Sequence, residues 1–289
     1  MKIIITLALI FVNTLVFSQL PETDIFLCTI KKSNDKYIFS NPQNITNRPG
    51  YDNQPCFTSD NKQLLYVSVV DTLQSDVYVY DLKEKISIQF TDTKESEYSP
   101  SYTPSGNAIS IVRVDADSGQ RFYKIPLNKL KHAVEIKNTD SIGYACWLND
   151  SSLAMFILGP SHSLQILNTI TGKRKLIASD IGRCMKMSPD KQKMYFVLKS
   201  NENEWFIYTL NVSDFTMLRF AATIKGNEDF AVLPDGSLIM GKEGKLFQYI
   251  SGEWTMLADF TSELKDFYRL AISNDGIYLA LVAFTGKKP

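Results

Sequence analysis

One phrase recurs through this chain and limits its fold more than any other feature. "FTSDNKQLLY" begins at Phe57; "YTPSGNAISI", "WLNDSSLAMF", "MSPDKQKMYF", "VLPDGSLIMG" and "ISNDGIYLAL" begin at Tyr102, Trp147, Met187, Val232 and Ile272. The copies lie 45, 45, 40, 45 and 40 residues apart. A period of about 40–45 residues is that of a four-stranded propeller blade, although paired-helix repeats share it. The content of the repeat decides between them. Asp60-Asn61, Ser105-Gly106, Asp150-Ser151, Asp190-Lys191, Asp235-Gly236 and Asp275-Gly276 occupy one offset, and these residue types favour tight turns. Short runs rich in β-branched and aromatic residues follow, such as Leu64–Val69, Ile109–Val114, Met194–Leu198 and Tyr278–Val282. Such runs fit strands covered on both faces, whereas a helix would bury its poorest formers at mid-length.

Each copy is followed by a polar loop and a second pair of apolar runs, for example "VVDTLQSD" and then "VYVYDLKEKISIQFT". The repeat therefore predicts four strands, A to D. The last repeat stops after "ISNDGIYLALVAFT", while Asp24 to Thr46 ("DIFLCTIKKSNDKYIFSNPQNIT") has the strand–turn–strand form with no A–B pair before it. The expectation is an all-β, six-bladed β-propeller of four antiparallel strands per blade. Its last blade is closed by two N-terminal strands (C, D) and two C-terminal strands (A, B), which removes the unpaired edges of an open ring.

The first eighteen residues, "MKIIITLALIFVNTLVFS", carry one Lys and then an apolar stretch too short for a comfortable membrane span. They read as a secretory signal peptide (1–18) ahead of a single propeller domain (19–289), with an uncleaved N-terminal anchor as the alternative. The chain is expected to be exported, periplasmic or else secreted or at the cell surface, with no membrane insertion after cleavage. With 31 basic and 31 acidic side chains in 289 residues there is no net field, and no basic stripe interleaved with aromatics, so a nucleic-acid partner is not expected.

The apolar-x-Pro-Asp-Gly phrase, clearest in "MSPDKQKMYF" and "VLPDGSLIMG", resembles the PD-type (WD-like) repeat of the TolB-like six-bladed propellers. The resemblance covers essentially the whole mature chain. It implies a non-enzymatic platform that binds a protein or peptide in the bacterial cell envelope. That family often sets an acid and a proline just before strand A. Asp52…Pro55 and Glu97…Pro100 match, while Ile142, Gly182, Asn227 and Phe267 depart, so a full ring of channel acids is not expected.

The chemical vocabulary is thin. "GPSHS" (Gly159 to Ser163) lacks the closing glycine of a nucleophile elbow. His132 and His162 belong to different blades, and neither a zinc-binding helix motif nor a phosphate loop occurs. No catalytic residue, metal or cofactor is expected; the alternative is a lactonase- or lyase-like propeller enzyme, or a glycan binder, with a site in the central funnel. Cys28, Cys56, Cys146 and Cys184 read as buried free thiols, because equivalent strand positions two blades apart are too distant to bridge. Phe57, Tyr102 and Trp147 read as inter-blade core. The candidate binding surface is the rim built from D–A and B–C loops, represented by Asp52, Asn53, Glu97, Tyr98, Asn227, Glu228 and Asp229. It predicts that charge reversal at Asp52, Glu97 and Glu228 weakens partner binding and spares stability. The protein is expected to be a monomer.

Overall fold

The recurrent phrase folds as a turn whose side chains replace missing backbone partners. In the computed structural model, which describes residues 20–34, 36–69, 74–127, 132–201 and 204–286, Thr58 Oγ1 donates to Asp60 Oδ1 at 2.6 Å and accepts from the Gln63 amide at 3.0 Å. Ser188 with Asp190, and Ser273 with Asp275, repeat this arrangement at 2.5 Å each. Asn61, Gly106, Lys191, Gly236 and Gly276 all take positive φ at the next position. The Asp-Gly or Asp-Asn pair is thus turn chemistry.

These turns join successive antiparallel strands. The chain opens with β1 (Thr23–Ser33), β2 (Lys36–Phe39) and β3 (Gln43–Asn44). β4 (Tyr51–Phe57), β5 (Gln63–Val69), β6 (Asp76–Asp81) and β7 (Ile86–Gln89) then pair in order. Four-strand sheets follow: β8 (Ser96–Tyr102) to β11 (Val134–Ile136) through β9 (Ala108–Val114) and β10 (Gln120–Pro126), and β12 (Ile142–Asn149) to β15 (Arg174–Ser179) through β13 (Ser152–Ile157) and β14 (Ser163–Asn168). Next come β16 (Ile181–Met187), β17 (Lys193–Lys199), β18 (Trp205–Asn211) and β19 (Met217–Ala222), then β20 (Phe230–Val232), β21 (Leu238–Lys242), β22 (Lys245–Ile250) and β23 (Glu253–Asp259). β24 (Phe267–Ile272) pairs β25 (Tyr278–Phe284), and β25 pairs β1 from Thr23↔Phe284 to Thr29↔Tyr278. This is the all-β, sheet-repeat architecture of a β-propeller. Among the described residues every regular element is a strand, and no helix is long and apolar enough to cross a membrane. The leader assigned to residues 1–18 lies outside the described residues.

The core lies between sheets. Leu148, Phe156 and Leu164 pack on Met185, Met194 and Phe196; Ile25, Ala280 and Val282 pack on Phe57, Leu64 and Tyr66, joining the last sheet to the first. Each fully buried Leu, Ile or Phe of these layers contributes about 1.5–3 kcal/mol. The aromatic positions belong here: Phe57 stacks on Tyr278, and Trp147 tilts against Phe122 while its Nε1 donates to Ser110 Oγ at 3.0 Å.

Candidate functional site in the central funnel

The first strand of each sheet lines the axis, and a bulge recurs near its start. Register shifts fall between Asn53 and Cys56, Tyr98 and Ser101, Ile142 and Tyr144, Ile181 and Met185, and Phe267 and Arg269. Gln54 and Ser99 sit there in positive φ. Bulges turn side chains away from the ladder's alternation, and here they bring polar groups of successive strands together.

The groups tie to one another across the axis. Ser99 N and Oγ both reach Gln54 Oε1, and Ser99 Oγ lies 3.5 Å from the Gly143 carbonyl oxygen. Arg183 pairs with Asp229 through Nη2 and with Glu228 Oε1 at 3.3 Å, and its backbone N donates to Glu228 Oε2 at 3.1 Å. Lys199 Nζ reaches the same Oε2 at 3.0 Å. Gly182 makes this approach possible, since a Cβ there would lie 2.5 Å from Glu228 Oε2. Arg269 donates through Nη1 to Asn53 Oδ1 at 2.9 Å and through Nη2 to the Tyr144 hydroxyl at 3.3 Å, while Asn53 Nδ2 donates to the Tyr268 hydroxyl. Burial alone would lower the guanidinium pKa values of Arg183 and Arg269; Asp229 beside the first, and Tyr144 and Asp229 beside the second, hold both above the ordinary value.

This network is the floor of a funnel of about 860 Å³. Its mouth lies at the A–B turns, at Ser59, Pro104, Asp150, Pro189, Lys191, Pro234 and Asn274. One level above the floor, the six copies place Cys56, Ser101, Cys146, Lys186, Ala231 and Ala271 around the wall. Burial pushes the Cys146 and Cys184 thiols up to about 12 and raises Cys56, against the opposing pull of Lys186. All four cysteines are free.

The sequence-derived rim set is corrected in place and in exposure. Asp52 and Asn53 lie inside β4, and Glu97 and Tyr98 inside β8, rather than in loops. Asp52, Asn53 and Glu97 are 0%, 1% and 1% exposed. Asp52 and Glu97 face the space between sheets, as Ile142 and Phe267 do at the equivalent place in sister copies, whereas the adjacent Asn53 turns to Arg269 and Tyr268. Asp52 is bound by Arg48, and Glu97 accepts from Thr93 Oγ1 at 2.6 Å. Burial raises both carboxyls. Asn227, Glu228 and Asp229 do lie in a loop before β20, but Asn227 donates to the Gly241 carbonyl and the two acids belong to the floor. With these partners and this burial, charge reversal at Asp52, Glu97 and Glu228 is expected to cost stability rather than spare it. The sequence reasoning missed Arg183, Arg269, Tyr144 and Lys186.

Elsewhere, Ser161 Oγ donates to Asp180 Oδ1 at 2.7 Å, and the His162 ring packs on Phe156 with centroids 4.8 Å apart, so the "GPSHS" loop shows no serine–histidine pair among the described contacts. Among the described residues no group of three or more His, Cys, Asp or Glu is placed to hold a metal ion.

No family model matches the sequence, and no curated protein matches it. Solved structures do. TolB from Acinetobacter baumannii superposes with a TM-score of 0.62 at 14% identity, covering 92% of this chain and 65% of that one. A putative TolB from Agrobacterium tumefaciens gives 0.69 at 14% identity, over 92% and 99%. A gluconolactonase from Xanthomonas campestris gives 0.62 at 10% identity, over 93% and 99%. At these identities the likeness is one of fold, and the chain has the β-propeller fold seen in the TolB structures.

Proposed function

We propose that this chain is an exported, non-enzymatic, six-bladed TolB-like propeller that binds a protein or peptide in the bacterial cell envelope, in the periplasm, as a monomer. The closing blade is β24, β25, β1 and β2. The observation that carries the reading is the division of the axis: one end is filled by side chains already bonded to one another, and the other is a rigid, open funnel. Loops held by a rigid scaffold are where binding resides. The floor acids and arginines are engaged with each other, which suits a structural plug better than acid–base turnover. The partner docks at the mouth formed by the A–B turns; Tyr98, Asn227 and Glu228 are half-buried at the opposite rim and are the part of the rim set still within reach of a second contact.

The test is affinity capture from envelope extract with the mature chain and with an Asp150→Lys, Lys191→Glu double variant, both positions being exposed at the mouth. A partner held by the parent and lost by the variant supports the reading. Equal capture by both removes the mouth from it. Lactone hydrolysis or uronate cleavage by the purified chain, with nothing captured, replaces it with a funnel enzyme, the reading that the gluconolactonase likeness would favour.

A further inference from the structure

We propose that the funnel holds a carboxylate, and that Lys186 is the group that binds it. The inference does not depend on a protein partner being found. Three observations lead to it.

The first is placement. Five of the six equivalent wall residues are small (Cys56, Ser101, Cys146, Ala231 and Ala271), and the sixth is Lys186. A long cation thus enters a space that its sisters leave open. The second is the absence of a counter-charge. Lys186 is half-buried and its side chain makes no hydrogen bond or ion pair among the described residues, although Arg183, Lys199 and Arg269 below it all meet a carboxylate within 4.0 Å. The third is the balance of the whole cavity. The charged residues lining it are Arg183, Lys186, Lys191 and Arg269 against Asp150 and Asp229. In a chain with zero formal net charge, the funnel therefore carries two positive charges in excess. Low-dielectric walls focus such an excess toward an anion.

The walls narrow the class. Around Lys186 they present neutral thiols and alanines, with Tyr144 nearer the floor. At the floor, the Arg183 backbone N–H is already given to Glu228 and is not free for a second anion. Inorganic phosphate, strongly hydrated, asks for several such donors. One ammonium beside apolar wall fits a carboxylate carried on an organic body, with Arg269 adding charge from beneath while its own Nη atoms stay on Asn53 and Tyr144. The carboxylate can belong to a small dicarboxylic acid or to the free end of a peptide.

Calorimetric titration with glutarate, with a short apolar peptide ending in a free acid, with its C-terminal amide and with inorganic phosphate distinguishes these. Binding of glutarate or of the acid peptide, weakened by added salt, is the expected result, and which of the two binds names the source. Lys186→Met should weaken it about tenfold or more, the loss of one charge-assisted hydrogen bond. Lys186→Arg should retain it, and a melting temperature no lower than the parent's in both variants shows that the fold is intact. The proposal is overturned if no carboxylate binds at about 10 mM, if Lys186→Met binds as well as the parent, if the amide matches the acid, or if phosphate binds more tightly than either carboxylate.

Discussion

Replacing Glu97 by glutamine should make this protein more stable at alkaline pH, although it removes a charge and adds no volume. Glu97 is 1% exposed, and its Oε2 has no hydrogen-bond partner. Asp76, across the junction between the first and second sheets, has its Oδ1 in the same condition. Burial comes first in raising both carboxyls; Asp76 raises Glu97 further, whereas a hydrogen bond from Glu97 favours the Asp76 carboxylate and only partly offsets its burial. A carboxylate facing another carboxylate accepts but cannot donate, so a proton held between them would satisfy both orphan oxygens, and that shared proton is the hypothesis the substitution tests. Because the folded pKa values lie above the unfolded ones, the pair's stability is fully present below about pH 4 and is lost as pH rises through the raised values. The glutamine of Glu97→Gln would place an amide N–H₂ where the shared proton sits and keep an oxygen for Thr93. Satisfying a buried acceptor is worth about 1–3 kcal/mol. For a domain of this size that corresponds to about 3–8 °C in melting temperature. Thermal melts of Glu97→Gln and the parent at about pH 8 and pH 5 test this, and the difference between the two proteins is the quantity that matters, since the turn aspartates Asp60, Asp190 and Asp259 are lowered and give the whole chain an opposite slope. A variant that melts at or below the parent at the higher pH, or a gap that does not shrink at the lower one, refutes the shared proton.

Three shorter predictions accompany it. Asp52→Lys sets a second cation against Arg48 in a fully buried site and should cost about 3–5 kcal/mol or more, read as a drop in urea midpoint; a variant as stable as the parent would return Asp52 to the exposed rim. Gly241→Ala places a Cβ 2.1 Å from the Phe267 ring, a fully buried neighbour, and should cost about 1–3 kcal/mol by overpacking; an unchanged midpoint would mean that the β21–β24 junction is loose. Cys146 and Cys184, with thiols pushed up to about 12, should resist a thiol reagent at about pH 7.5 until the protein unfolds; rapid labelling of the folded chain would show an ionised thiol in the funnel.

The parts of the fold that were legible in the sequence are those decided within a few residues. Asp60, Asp190 and Asp275 announce turns because a side chain two or three residues away completes them. Phe57, Leu64 and Trp147 announce a core because their size repeats at a fixed offset. The site was not legible in the same way. Arg48 lies only four residues from Asp52, but whether the pair is shut away from water depends on which sheet lies beside β4, and that neighbour includes β25, more than two hundred residues later. Arg269 reaches Asn53 across a separation of 216 residues and Tyr144 across 125. No local pattern encodes such distances. Nor does a strand period foresee a bulge, and the bulges at Gln54 and Ser99 decide which side chains meet at the axis. One signal was nonetheless present. Aligning the copies puts Lys186 in a column of Cys, Ser, Cys, Ala and Ala, and puts Arg183 beside Gly182, where sister copies carry Asp52-Asn53 and Glu97-Tyr98.

That column suggests how a repeat protein separates scaffold from site. Equivalent positions share an environment, so a residue suited to one copy is suited to all, and agreement among copies reports packing. A copy that departs places a side chain where the common environment makes no provision for it, and something particular must compensate. For Arg183 the compensation is Asp229 and Glu228 from the following sheet, admitted by the missing side chain of Gly182. For Arg269 it is Asn53, Tyr144 and a more distant Asp229. Glu97 is compensated in part by Thr93, with burial and the neighbouring Asp76 raising its carboxyl. Lys186 departs as far as any of these and faces neutral thiols and alanines. An ammonium half-withdrawn from water without a partner is costly, and a chain that supplies carboxylates to the three cations beneath it has the means to supply a fourth. That none of the described residues supplies one to Lys186 is the reason to look for the missing charge on a ligand.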